Sequence, residues 1–258
     1  MKLIHVTGYS GTGKTTFIQR LLKELSGMGK TAVVKHTGHH TIQLDEGKDT
    51  TTHFEHGAAF SIGIDSEKAV GAIHSTDLNE ILTMLCDAGV EYTIIEGFKK
   101  YQFPKIVMGD LEAENCILKN PQVDEVISSL ESFEDYFTMQ GVICELKREN
   151  EIRHAGAILS FNGIVREITD DKQTEYMDFD DYDGIDEKIS EIKAEMEKVP
   201  GIIGVKFHHQ KGRLYAGEDI TYIAILAAHR QEAFVAMSAA IDKLKKDLHN
   251  AGKELLEE

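Results

Sequence analysis

The sequence predicts an α/β domain on a mostly parallel sheet, followed by an α+β domain. Three observations lead there. Gly8-Tyr9-Ser10-Gly11-Thr12-Gly13-Lys14-Thr15 fits the P-loop pattern G-x-x-x-x-G-K-[ST] at every fixed position. It lies between a short apolar, β-branched run and a helix-spaced one, the order that pattern requires. Beyond about residue 150 the chain interleaves strands with fewer helices, as α+β domains do.

Leu3-Ile4-His5-Val6-Thr7 reads as a buried parallel strand. Phe17, Leu21, Leu22 and Leu25 recur at helical spacing, and Gly27 and Gly29 end the run. Between them, glycines let successive N–H groups converge on one anion, and the helix N-terminus adds partial positive charge. Gly8, Ser10, Gly11, Thr12, Gly13, Lys14, Thr15 and Thr16 are therefore the candidate nucleotide-binding residues. Lys14 is expected on the β- and γ-phosphates and the Thr15 hydroxyl on magnesium.

Residues 31–36 read as a second strand, and the polar stretch 37–49 as a loop at its carboxyl end, where doubly wound folds bind ligands. Asp45 and Asp49 are placed to help hold magnesium, and Lys48 to meet phosphate; a solvated loop is the alternative. His36, His39, His40, His53 and His56 include two H-x-x-H pairs, but no cysteine lies nearby, so solvent- or phosphate-facing histidines are expected rather than zinc. A short helix over 50–56 and strands over 59–64 and 68–73 follow. Asp77 and Glu80 suggest a capping box for the next helix. Strand 91–96 ends in Glu96-Gly97, where a second carboxylate can orient magnesium opposite Lys14-Thr15. Strands are expected at 103–107 and 115–118, and helix from Pro121 to Lys147, with Gly141 able to divide it. The charged run 147–151 sets the expected boundary, giving domains 1–148 and 149–258.

In the second half, 155–168 reads as one long, glycine-interrupted strand, and the acid-rich stretch 167–187 as a solvated edge. Ile185, Ile189, Ile192 and Met196 mark a helix, 202–209 and 219–227 strands, 211–218 an excursion, and 233–248 a final helix.

Composition narrows the class. The chain has 258 residues and a formal charge of −16. There are 14 basic and 21 acidic residues in 1–148, and 14 and 23 in 149–258, so nucleic acid and anionic membranes are poor general partners for either half. No apolar run is long enough to span a bilayer, and the chain begins directly with a strand, so no leader is expected. Cys86, Cys116 and Cys144 are too widely spaced for a zinc or disulfide pattern; buried, reduced thiols and a cytoplasmic setting are expected.

The first half resembles the molybdopterin-guanine dinucleotide biosynthesis protein B family. The likeness rests on the P-loop, Val34-Lys35-His36-Thr37 with His40, Asp45 and Gly47-Lys48-Asp49, and Ile95-Glu96-Gly97-Phe98-Lys99 with Pro104-Lys105-Ile106. It implies GTP, magnesium, weak hydrolysis, and a supporting role beside the enzyme that attaches GMP to molybdopterin; Thr15, Glu96 and Asp45 are the candidate metal residues read above. The second half is similar to the large, catalytic subunit of molybdopterin synthase. The match runs through Gly156-Ala157, Phe161 to Arg166, Tyr182-Asp183-Gly184, His209, Gly212-Arg213-Leu214, Gly217-Glu218, Ala228 to Phe234 and Ile241 to Lys245.

That resemblance implies the hammerhead type of α+β fold. It also implies conversion of cyclic pyranopterin monophosphate to molybdopterin, with sulfur from the thiocarboxylate of a ubiquitin-like small subunit. Arg166, His229 and Arg230 match the family's anion pocket, and Lys245 its first catalytic lysine. The second falls on Gly252, with Lys253 one place along. Both families dimerise, so a homodimer or larger assembly is expected. The sequence leaves open a P-loop kinase of a small metabolite, and a C-terminal domain that only binds pterin or docks a partner.

Overall fold

The computed structural model describes residues 1–38, 40–169, 172–179, 184–248 and 253–256. His39, Tyr182, Asp183 and Gly252 lie outside them. The chain divides into two compact units, 1–86 with 90–136, and 87–89 with 137–258.

The first unit contains β1 (Lys2–Gly8), α1 (Lys14–Met28), β2 (Thr31–Lys35), α2 (Asp49–Glu55), β3 (Phe60–Ile64), β4 (Ala69–Ile73), α3 (Leu78–Asp87), β5 (Tyr92–Glu96), β6 (Lys105–Met108), β7 (Cys116–Lys119), α4 (Val123–Ser128) and β8 (Glu134–Asp135). Its main sheet has the order β2-β5-β1-β6-β7, all parallel, with β8 antiparallel to the start of β1. Strand β1 is central and β-branched because both faces are covered. Ile4 and Val6 pack on Phe17, Ile18, Leu21 and Leu25 of α1, and Leu3 packs with Leu78, Leu82 and Ile95 on the other side. Each such fully buried side chain contributes about 1.5–3 kcal/mol. The ribbon β3–β4 stands apart as its own two-stranded sheet.

Three local expectations change. Asp77 caps α3 through the Asn79 amide (2.8 Å), but the Glu80 carboxylate takes the Ser75 hydroxyl instead of completing a box. The helical pattern from Pro121 breaks well before Gly141. Helix α4 stops at Ser128, buried Phe133 turns the chain inward, and β8 joins β1 before the next helix starts. Cys86 is buried, but Cys116 is exposed on edge strand β7.

The second unit contains α5 (Met139–Glu149), β9 (Ala157–Ile164), β10 (Ile168–Thr169), β11 (Lys172–Asp178), α6 (Ile185–Glu197), β12 (Ile202–His209), β13 (Arg213–Tyr215), β14 (Asp219–Ala227), α7 (Arg230–Leu248) and β15 (Lys253–Leu256). Antiparallel strands β12-β14-β9 form its main sheet. Ile223, Ile225 and Ala227 face α6 and α7, while Tyr222, Ala224 and Leu226 face Val142 and Leu146 of α5. That two-sided cover explains why β14 reads as an unbroken apolar run. It also places α5 in the second unit, although the charged run 147–151 that suggested a boundary begins in its last turn. Lys206 of β12 strengthens the join, pairing with Glu145 and with Glu149 (2.7 Å).

The expected long strand 155–168 ends at Ile164, where the Val165 carbonyl accepts from the Gly217 amide (3.0 Å). The acid-rich stretch is not merely a solvated edge. Strand β11 runs through it, paired with β10, β13 and β15, because Thr174 and Phe179 are buried.

Candidate functional site

The P-loop leaves β1 at Gly8, whose φ is 152° and where a Cβ would lie 2.3 Å from the Met108 carbonyl oxygen; only glycine fits. Gly11 and Gly13 take left-handed φ values of 80° and 83°, and a Cβ on either would meet open space. The loop thus presents exposed backbone at the start of the 15-residue helix α1. Ser10, Gly11, Gly13, Thr15 and Thr16 face solvent, Thr12 is half-buried, and its hydroxyl donates to the Tyr9 carbonyl (2.9 Å). The Lys14 ammonium folds back onto the carbonyls of Gly8 (3.1 Å) and Tyr9 (2.5 Å). Burial lowers its pKa from the ordinary lysine value, against the pull of Glu96 and with the help of Lys99 and Lys35. Lys14 therefore shares one electrostatic neighbourhood with Glu96, Lys35 and Lys99.

Glu96 ends β5 beside β1, in register with Val6, as expected of a second carboxylate. A sharp turn follows: Gly97 has φ 94° and Phe98, unusually for a non-glycine residue, 46°. Holding Phe98 there costs about 1 kcal/mol. The turn is fastened from β1, where His5 Nε2 lies 2.6 Å from the Gly97 carbonyl oxygen, and by Phe98 packing on His36. On the other flank, Lys35 ends β2 in register with Glu96 and pairs with it at 3.2 Å. Lys99 lies over the Tyr9 ring, 5.1 Å from its centroid. Sequence reasoning assigned no role to Lys35 or Lys99. The signal was their position at strand carboxyl ends, flanking the acid.

Asp45 is exposed, and its backbone carbonyl accepts from the Thr51 hydroxyl (2.7 Å), so the loop is tied to α2. Among the described residues no three His, Cys, Asp or Glu side chains gather as a metal site. The donor set here is one strand-end carboxylate and a P-loop hydroxyl. That suits magnesium, which keeps waters and phosphate oxygens as its other ligands.

In the second unit, His229 and Arg230 are exposed at the start of α7, directly after β14. Arg166, also exposed, follows β9 at the opposite end of the same ladder. Ala227 pairs with Ala157 at one end, and Asp219 with Ile164 at the other, about 23 Å away. Lys245, exposed, lies roughly 22 Å along α7 from Arg230. The backbone of Lys253 begins β15, opposite Asp178 of β11. One copy of the chain therefore does not gather Arg166 with His229 and Arg230. Among the described residues no helix is long and apolar enough to cross a membrane.

The molecule is an α/β P-loop unit followed by an α+β unit whose last long helix opens on a cationic pair. Comparison with known proteins gives the family. The profile for molybdopterin guanine dinucleotide synthesis protein B (MobB) matches residues 3–129, and that for the MoaE protein matches 135–247. A probable molybdopterin synthase of Haloferax volcanii is 30% identical over 260 residues, spanning 97% of this chain and 95% of its own length. A putative molybdopterin-guanine dinucleotide biosynthesis adapter protein of Methanocaldococcus jannaschii is 38% identical over 112 residues, 42% of this chain and 47% of that one. A molybdopterin synthase catalytic subunit of Pseudomonas aeruginosa is 35% identical over 91 residues, 35% of this chain and 61% of that one. The chain belongs to the family of molybdenum cofactor biosynthesis proteins that join a MobB domain to a MoaE domain.

Proposed function

We propose that the first unit binds GTP with Mg²⁺ and assists guanine dinucleotide formation on molybdopterin, while the second converts cyclic pyranopterin monophosphate into molybdopterin. The carrying observation is the end-to-end likeness to a probable molybdopterin synthase, joined to a P-loop with its lysine, hydroxyl and strand-end acid in order. Lys14 leaves the Gly8 and Tyr9 carbonyls for the phosphates, and the loop amides hold the β-phosphate. Thr15, Glu96 and Asp45 would hold the metal. When bound, it would supply charge neutralisation at the phosphates.

In the second unit His229 and Arg230 hold the pterin phosphate at the start of α7, where helix polarity and charge act together. Lys245 serves the incoming thiocarboxylate of a ubiquitin-like small subunit, with Lys253 as its companion. Arg166 completes the anion pocket from a second copy, which its distance from Arg230 within one copy supports. A GMP-transferring enzyme is the partner of the first unit.

The test is calorimetry of the intact chain with GTP, ATP and cyclic pyranopterin monophosphate, then a sulfur-transfer assay with thiocarboxylated small subunit. GTP preference, pterin binding and product are expected. Pterin binding without product would reduce the second unit to a binding module. Rapid phosphate transfer from ATP to a small acceptor would make the first unit a kinase.

A further inference from the structure

We propose that Lys35 is an exchange residue. It neutralises Glu96 while the crevice lacks magnesium, and it moves to a phosphate oxygen once magnesium takes over that carboxylate. This rests on the nucleotide reading above and adds a residue and an order of events.

Four observations carry it. The Glu96 side chain is only 11% exposed, whereas that of Lys35 is 53% exposed, so the acid is fixed and the lysine has room to swing. A carboxylate so enclosed is costly without a facing cation, and Lys35 supplies one at 3.2 Å. The pair is built by strand register, since Lys35 and Glu96 are direct neighbours across the β2–β5 ladder. Finally, three ammonium groups here rest on replaceable partners: Lys14 on two carbonyls, Lys35 on Glu96 and Lys99 on the face of Tyr9.

The ions acting on Lys14 are Glu96, Lys99 and Lys35, so this neighbourhood is rich in cations although the chain carries a net charge of −16. A magnesium–triphosphate carries a net charge of about minus two. Those lysines therefore meet a complementary anion when that complex is bound. While Lys35 remains on Glu96, the phosphates lack one of their three cations.

The test is a double-mutant cycle on the full chain, read by calorimetric GTP affinity with magnesium and with EDTA. In EDTA, Glu96→Gln frees Lys35 and is expected to tighten GTP about tenfold, the scale of one charge-assisted hydrogen bond. In the Lys35→Met background the same change should give little gain, because no lysine is left to release. Lys35→Arg should restore the gain. Equal effects of Glu96→Gln with Lys or Met at position 35 would overturn the exchange, while GTP binding that still depends on Lys14 would leave the nucleotide reading intact. Absence of GTP binding by the unaltered chain with magnesium would overturn both. Thermal unfolding of each variant confirms that the comparison is between folded proteins.

Discussion

Arg166 and Arg230 stand at opposite ends of one two-stranded ladder, set about 23 Å apart by the pairing of β9 with β14. A single phosphate does not bridge that span. Arg166→Ala and Arg230→Ala should each abolish molybdopterin formation, and mixing the two inactive proteins should restore part of it. In a mixed dimer one of the two sites keeps both arginines. Recovery in the mixture, absent from either variant alone, is the measurement. No recovery after subunit exchange would place a complete site within one copy.

Lys14→Ala should weaken GTP–Mg²⁺ binding by at least tenfold and up to more than a hundredfold, since one or two charge-assisted contacts of about 1.5–3 kcal/mol each are lost. Calorimetry measures this. Affinity within twofold of the unaltered chain would remove Lys14 from the phosphate site.

Leu146→Ala should destabilise the second unit by about 2–5 kcal/mol, although Leu146 precedes the charged segment that looked like a boundary. Leu146 is fully buried against the α5-facing side chains of β14. Urea denaturation, followed by the pterin affinity of the second unit and the nucleotide affinity of the first, separates the two. Loss confined to the first unit would contradict the assignment of α5.

Acid should weaken the fold through its buried histidines. Burial lowers the pKa of His209, against the Gln210 carbonyl and Asp186, and lowers that of His5, against the Gly97 carbonyl. Each is therefore neutral in the folded chain over a range where the unfolded chain takes up a proton. Their stabilising contribution is present above the usual imidazole value of about 6.5 and is lost as pH falls below it towards the lowered folded value. His209→Asn should flatten the acid limb of a stability–pH curve measured by urea denaturation. An unchanged slope below pH about 6.5 would exclude His209 as a contributor.

Lys206 should act at the other extreme. Burial alone would lower its pKa, but hydrogen bonds to Glu145 and Glu149 outweigh this and raise it above the ordinary lysine value. The contribution is whole below the unfolded value of about 10.4 and disappears as pH rises through the raised folded value. Lys206→Met should therefore lower stability at neutral pH and reduce its further fall in alkali. Denaturation at pH 7 and above pH 10 checks both signs.

Much of this molecule was written in local sequence. The P-loop, Glu96 at a strand end and most elements are set by short-range rules, namely φ angles only glycine adopts, apolar periodicity and β-branched runs that become buried strands. Strands β12 and β14 fall where their apolar runs lie, and His229–Arg230 opens α7 as expected. Tertiary structure decided what depended on partners far along the chain. Helix α5 belongs to the second unit because the outer face of β14 needed cover, which no feature of residues 139–149 announces. Strand β11 forms in an acid-rich tract because β13 and β15 supply its hydrogen bonds. Lys35 meets Glu96 because parallel pairing aligns the ends of two strands that are 61 residues apart in the chain. Spacing along a chain encodes which face a side chain occupies. Which other face it meets is a matter of register and layer order, and those are settled only when the sheets assemble.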